Sequence, residues 1–210
     1  MTATGTKEKL LAIAAERFLA VGPDGVSLRD VAKRAGITPM AVYRHYADKE
    51  ALLLAVVEQG FANYAAYLRP VSVAPDPADH LRWLAGRVFD FATEQGAYFE
   101  LMFLTARTIR GLGDRSTIRR IHLPTYRVAR EALRDAGHGS VPGSGTLREA
   151  TIEMLAYCIG FCAFVISGAL QAGPEEARRQ YLDGFDRLLT RLIGPAALSG
   201  ERTMKRKKHR

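Results

Sequence analysis

The 210-residue sequence predicts an all-α fold of about nine helices, and three observations lead there. Apolar residues recur every three or four positions through almost every segment. No stretch alternates with the two-residue period of a strand. Helix-capping residues and Gly/Pro breakers fall between the periodic segments. Hydrophobic residues make up 48% of the chain and charged residues 25%, the balance of a chain that folds around a core. No internal repeat is present.

Leu10, Ile13, Ala14, Phe18 and Val21 share one face of a first helix over about Thr6 to Val21, and Gly22-Pro23-Asp24-Gly25 stops it. Ser27 stands as N-cap of a short helix to about Ala35, with Asp30 in capping-box position and Leu28, Val31, Ala32 and Ala35 facing inward. Gly36 ends that helix and Ile37 anchors the turn. Thr38 caps the next, with Pro39 at its first position, running to about Tyr46. Asp48 caps a fourth helix from Lys49 to about Tyr67. Pro70–Pro77 reads as a linker. Asp76-Pro77-Ala78-Asp79 opens a helix to about Gln95 through Leu81, Leu84, Val88, Phe89 and Phe91. Gly96 precedes a helix over Tyr98–Arg110, and Gly111–Asp114 is a loop. Ser116–Ala136 is helical in pattern, with Pro124 expected to kink or split it. Gly137–Gly145 is a second loop. Thr146-Leu147-Arg148-Glu149 is a capping box for a long helix to about Gln171. Gly173-Pro174-Glu175-Glu176 separates it from a last helix through Tyr181, Leu182, Phe185, Leu188, Leu189 and Leu192, and Gly194-Pro195 ends the ordered part.

The net charge of +8 is unevenly placed. Residues 1–50 carry a net of +2, residues 201–210 a net of +5, and the remainder +1. A nearly neutral body with a mildly basic start and a strongly basic tail is compatible with an anionic partner. Cys158 and Cys162 form no disulfide framework and point to a reducing compartment. Neither CxxC nor a dense Cys/His cluster occurs, so no metal site and no cofactor are expected. The N-terminus lacks the apolar core of a signal peptide, which places the chain in the cytoplasm. Met154–Pro174 contains no charged residue and is long enough to cross a bilayer. It holds Gly160, Ser167, Gly168, Gln171 and Gly173, and is flanked by Glu153, Glu175 and Glu176. That composition suits a helix buried between its own core and a partner subunit better than a membrane span.

Residues Val26–Leu52 read VSLRDVAKRAGITPMAVYRHYADKEAL. Two short helices joined by a Gly-containing turn are the helix-turn-helix arrangement, whose second helix lies in the DNA major groove. Ala32 is small enough for a close helix crossing, Gly36 turns the chain, and Ile37 plugs the junction. With Arg29 early in the first of these helices, and with Tyr43-Arg44-His45-Tyr46 and Asp48-Lys49-Glu50-Ala51-Leu52 after the second, residues 6–56 resemble the DNA-binding signature of the TetR (tetracycline-repressor-like) family of bacterial transcription regulators.

The resemblance implies roles. Arg29 is suited to bidentate contact with guanine. Thr38 lies among the N-terminal residues set against base edges, Pro39, Met40 and Ala41 form an apolar tip suited to thymine methyls, and Tyr43 offers a ring edge and a hydroxyl. Ser27, His45 and Lys49 lie near helix N-termini that favour phosphate. Arg44 is expected to face the DNA backbone or solvent. Ser27 as a cap only, Tyr43 as partial core and Met40 as a merely exposed residue are the plainer alternatives.

The resemblance further implies a helical ligand-binding domain and a homodimer through the last two long helices. Small residues Ala156, Gly160, Ala163 and Ser167 recur at helical spacing and allow close helix approach. The last helix sets its apolar stripe opposite Arg178, Arg179, Asp183 and Arg187. A ligand cavity is expected among Trp83, Phe89, Phe99, Met102, Phe103, Tyr126, Tyr157, Phe161 and Phe164, with Arg87, Thr105, Arg107 and His122 as polar handles. Ordinary core packing is the alternative for each aromatic.

The expected organisation is a helix-turn-helix domain over 1–56, a ligand-binding and dimerisation domain over 57–198, and a basic disordered tail over 199–210. The expected function is that of a repressor binding a palindromic, double-stranded operator as a homodimer and released by a small, mostly apolar effector, with no membrane partner. An enzyme is disfavoured, since no GxSxG, HExxH or Gly-rich phosphate loop occurs and the five histidines are scattered. A membrane sensor built on Met154–Pro174, and a DNA-binding protein without a ligand, are the other two readings.

Overall fold

A computed structural model describes residues 3–69, 76–105, 115–138 and 145–195, and the side chains of all of these but 3, 4, 105 and 115–122. Most of the expected linker, the 111–114 loop, Arg107 and the basic tail lie outside the described residues. Among the described residues there are nine α-helices and no strand. These are α1 (Ala3–Val21), α2 (Leu28–Ala35), α3 (Pro39–Tyr43), α4 (Lys49–Tyr67), α5 (Pro77–Glu94), α6 (Gly96–Phe99), α7 (Arg115–Asp135), α8 (Leu147–Ile166) and α9 (Pro174–Ile193), with a π-helical segment, Glu100–Thr105, directly after α6. They form two compact units, Met1–Tyr64 with Gln95–His122, and Ala65–Glu94 with Leu123–Arg210.

In the first unit, α1 buries Leu10, Ala14 and Phe18, one residue per turn. Ile13 is only half-buried and Val21 is 45% exposed. The turn at Gly22 cuts the stripe short, so Val21 closes against the Gly25 backbone instead of entering the core. The α2 cap is formed as expected, with the Asp30 N–H donating to Ser27 Oγ at 3.1 Å. Its C-terminus is a Schellman motif: Gly36 N–H reaches Lys33 O at 3.2 Å and Ile37 N–H reaches Ala32 O at 3.1 Å. That motif holds Gly36 at φ 71°, a left-handed conformation in which any other L-residue is strained.

Helix α3 stops at Tyr43, three residues short of the expectation, because Tyr46 turns inward and is buried. Helix α4 starts at Lys49, with the Ala51 N–H donating to Asp48 Oδ1 at 2.7 Å. The expected Tyr98–Arg110 helix is replaced over its described part by the end of α6 and the π segment. The widened turn accompanies an aromatic cluster, with the Phe103 ring 4.8 Å from Phe99, 5.2 Å from Phe61 and 5.6 Å from Tyr64.

In the second unit α5, α8 and α9 pack mutually around Tyr181, which is fully buried. Phe89 lies 5.2 Å from its ring, Phe161 5.4 Å and Tyr157 5.7 Å. Both hydroxyls are satisfied, Tyr181 donating to Ala85 O at 3.1 Å and Tyr157 to Tyr181 O at 2.7 Å. Gly184 makes this approach possible, because a Cβ there would overlap Tyr157 Oη and lie 3.0 Å from its Cζ.

The capping box of α8 is complete, with Glu149 N–H on Thr146 Oγ1 and Thr146 N–H on Glu149 Oε2. Helix α8 ends at Ile166 rather than near Gln171, since Ser167-Gly168 turns the chain. Pro124 does not split α7, and it sits exposed on the helix. At the end of α7, His138 Nδ1 lies 3.0 Å from Leu192 O and Nε2 3.2 Å from Gly145 O. A single imidazole thereby links three elements. Helix α8 is long and apolar enough to cross a membrane, and 28% of its most apolar stretch is buried within the chain.

Candidate nucleic-acid interface

The site is built on α2 and α3. Helix α3 holds five residues and buries one of them, Val42. Its backbone is fixed by Thr38, whose Oγ1 accepts from Ala41 N–H at 3.3 Å, and by Pro39 in the first turn. The remaining side chains are presented outward: Met40 is 67% exposed, Tyr43 49%, and Thr38 and Pro39 are exposed, while Ala41 is half-buried. A pinned helix that turns a methionine and a tyrosine to solvent gives up apolar burial at both positions.

The cations around it are sorted by their partners. Asp30 takes Arg17 at 3.0 Å and Arg34 at 3.3 Å. Partial desolvation acts to raise the Asp30 carboxyl, but the hydrogen bonds and charges of the two arginines outweigh it and hold the carboxyl below its ordinary value. Lys9 Nζ donates to Ala35 O at 3.0 Å and Lys49 Nζ to Pro23 O at 3.2 Å. Lys49 is therefore occupied in holding the loop before α2. Ser27 Oγ is occupied as an acceptor by its cap, leaving its own proton to donate. Arg29 and Arg44 are exposed and form no hydrogen bond or ion pair among the described residues. His45 lies half-buried in the turn between α3 and the Asp48 cap. Lys33, exposed and equally unpaired, was not singled out by the sequence. Its position on the outer side of a capped, amphipathic α2 was the available signal.

The candidate ligand residues fall in both units. Phe99, Met102 and Phe103 pack in the first, where a Cβ on Gly60 would lie 2.9 Å from Met102 Sδ. Phe89, Tyr157 and Phe161 surround Tyr181 in the second. Tyr126 is half-buried on α7, and Phe164 is 62% exposed on α8. The side chains of Thr105 and His122 lie outside the described residues.

Trp83 and Arg87 line a groove of about 530 Å³ along α5 and α9, together with Arg82, Gly86, Asp90, Arg178, Leu182 and Asp186. The sequence assigns none of those six a ligand-binding role; it places Arg178 and Leu182 only on the polar and apolar sides of the last helix. Two cross-helix ion pairs bracket the groove, Arg82–Asp186 at 2.7 Å and Arg178–Asp90 at 3.3 Å. Among the described residues no three His, Cys, Asp or Glu side chains gather where a metal ion would sit.

Comparisons with known proteins agree with this architecture. The family model of bacterial regulatory proteins of the tetR family matches residues 10–56, and that of the tetracyclin repressor-like C-terminal domain matches residues 81–192. The chain is 28% identical over 96 residues to the HTH-type transcriptional activator FasR of Mycolicibacterium smegmatis, a match spanning 45% of this chain and 44% of FasR. It thus spans less than half the length of that relative. Its fold is similar to that of a transcriptional regulator from Rhodococcus sp. RHA1, with TM-score 0.71 and 21% identity over 89% of this chain and 97% of the other. It is similar also to the fatty acid degradation regulator FadR from Bacillus halodurans, with TM-score 0.68 and 13% identity over 85% and 93%. A helix-turn-helix with an outward-facing second helix, joined to a C-terminal domain whose family match alone covers more than half of the chain, makes this protein a member of the TetR family and a DNA-binding transcriptional regulator.

Proposed function

We propose that this regulator binds a palindromic operator as a homodimer, represses transcription from it in the cytoplasm, and is released by a small, largely apolar effector held in the C-terminal helical domain; it carries out no catalysis. The reading rests on one observation above the rest: α3 spends a single residue, Val42, on the core and turns Met40 and Tyr43 outward beside the unpaired Arg29, Lys33 and Arg44. In this reading Met40 and Pro39 meet thymine methyls, Tyr43 meets a base or phosphate, Arg29 reads guanine, and Ser27, Thr38, Ala41, Arg44 and His45 set the docking, while Lys49 holds the loop before α2.

Helix α8 supports the homodimer. It leaves Ile152 45% and Phe164 62% exposed on the side that carries Ala156 and Gly160, where a Cβ on Gly160 would meet nothing within 4 Å. Pairing this stripe with its mate would bury it. Two α3 helices would then read half-sites about 34–36 Å apart.

The test is fluorescence anisotropy on operator and on scrambled duplex across a salt series. Arg29→Ala and Tyr43→Ala are each expected to weaken operator binding by about 1–3 kcal/mol while leaving scrambled DNA little affected. Lys33→Ala is expected to weaken both and to reduce the salt slope by about one. Equal losses on both duplexes for all three variants would remove the base-reading role. A transcription reporter decides the sign of regulation, with derepression expected when the chain is absent and reduced transcription overturning the repressor assignment.

A further inference from the structure

The groove along α5 and α9 holds more positive charge than its ion pairs consume. Arg82 places Nε on Asp186 and Nη1 on Asp79 at 3.0 Å, so it is largely spent. Among the described residues, Arg178 commits only Nε, to Asp90. Its Nη2 would lie 3.3 Å from a Cβ on Gly86, so the absent side chain leaves that nitrogen uncovered at the groove floor.

Arg87 forms no ion pair among the described residues. Its guanidinium carbon rests 3.5 Å above the Tyr67 ring centroid, and Nε and Nη2 reach only the Tyr67 carbonyl, both at 3.4 Å. The ring fixes the plane of the cation while its hydrogen-bond capacity stays mostly unused. The same carbon lies over the Trp83 ring as well, 5.9 Å from its centroid, and Trp83 forms an apolar part of the groove wall.

A flat apolar wall beside a preset guanidinium, with a second partly committed guanidinium at the floor, recognises a ring bearing a carboxylate. The volume of about 530 Å³ lies in the range of small-molecule sites and leaves ample room for such a ligand. We propose that this groove is a binding site for a small aryl carboxylate, its carboxylate on Arg87 and Arg178 and its ring against Trp83, and that this occupancy is what the regulator senses. The binding claim stands independently, and only its regulatory consequence rests on the function proposed above.

Trp83 is the single tryptophan of the chain, so its emission reports on the groove alone. The full-length protein is titrated with benzoate and with benzamide, which share a shape and differ in charge, at constant ionic strength. The expected result is a saturable change in Trp83 emission with benzoate, at least about tenfold weaker binding of benzamide, and a loss of about tenfold for benzoate in Arg87→Gln. No saturable change, equal affinity for the two compounds, or an unaltered benzoate affinity in a folded Arg87→Gln each overturns the site. If Arg87→Gln does not fold, the benzoate–benzamide pair on the unaltered chain decides alone.

The same benzoate series is then read by anisotropy on operator DNA. A weakened operator complex is expected. An operator affinity that stays constant while Trp83 reports saturation overturns the sensing role and leaves the site. A protein that binds benzoate but never binds a specific duplex overturns the function proposed above instead.

Discussion

Gly184→Ala probes the tightest contact in the second unit. An added Cβ would overlap Tyr157 Oη, lie 3.0 Å from Tyr157 Cζ and 3.3 Å from Arg187 Nη2. Tyr157 cannot retreat cheaply, since its hydroxyl donates to Tyr181 O at 2.7 Å and its ring stacks at 5.7 Å on a Tyr181 already packed by Phe89 and Phe161. Overpacking costs about 1–3 kcal/mol and loss of the hydrogen bond about 1 kcal/mol. The gain in helix propensity from Gly to Ala returns about 1 kcal/mol. The net expectation is a destabilisation of about 1–3 kcal/mol, seen as a lower urea midpoint at unchanged slope.

Combining it with Tyr157→Phe removes the overlapping oxygen. Alanine at 184 should then cost about 1 kcal/mol less than in the parent chain. A single variant as stable as the parent, or an additive double variant, would refute the claim that Gly184 exists to admit Tyr157.

Three more outcomes follow from the same geometry. Gly36→Ala forces a side chain into the left-handed region at φ 71° and is expected to cost about 1–2 kcal/mol, measured by urea unfolding and accompanied by weaker DNA binding. Gly160→Ala, whose methyl would meet nothing within the subunit, is expected to stabilise the isolated subunit by about 1 kcal/mol. It should weaken the proposed dimer in sedimentation experiments; unchanged association would move the interface off this face of α8. In alkali, burial pushes the Cys158 thiol from 9.0 and the Tyr157 hydroxyl from 10.0 each up to about 12, and raises Cys162 as well. Their contribution is therefore fully present below pH 9 and is lost as pH rises toward 12, each group adding about 1.4 kcal/mol of loss per pH unit. Cys158→Ala should flatten that slope, and an unchanged slope would contradict the burial argument.

Helix identity was legible wherever a local signal encodes it. Asp48 before Lys49 and the Thr146–Glu149 box each start a helix at the residue the sequence indicates, because capping is settled by atoms within one turn. Helix α9 instead begins at Pro174, inside the Gly173–Glu176 stretch that reads as a separator. Endings that depend on packing were not legible. Tyr46 leaves α3 to be buried, and one wide turn after Phe99 defeats a periodicity argument that assumes 3.6 residues.

Asp30 shows the same divide. Its backbone N–H serves the Ser27 cap as the spacing predicts, while its carboxylate goes to Arg17, thirteen residues away, instead of back to the cap. In the candidate DNA site, the exposure of Met40 and Tyr43 followed from a known motif, whereas the diversion of Lys49 to Pro23 O needed three dimensions. The groove did leave a trace. Arg82-Gly86-Asp90 and Arg178-Leu182-Asp186 are two stripes at four-residue spacing with the same charge order, Arg first and Asp last, so each Arg meets an Asp when α5 and α9 run antiparallel. The two pairs join residues 104 and 88 positions apart, and the pattern becomes visible only once the two helices are known to touch.

The central claim is that α3 reads base sequence, and selection of bound duplexes from random DNA at about 0.15 M salt tests it most directly. Recovery of a palindrome with half-sites one helical turn apart or a multiple of it is expected, with loss of that preference in Tyr43→Ala. Recovery of unrelated sequences, held only by salt-sensitive attraction, would contradict it.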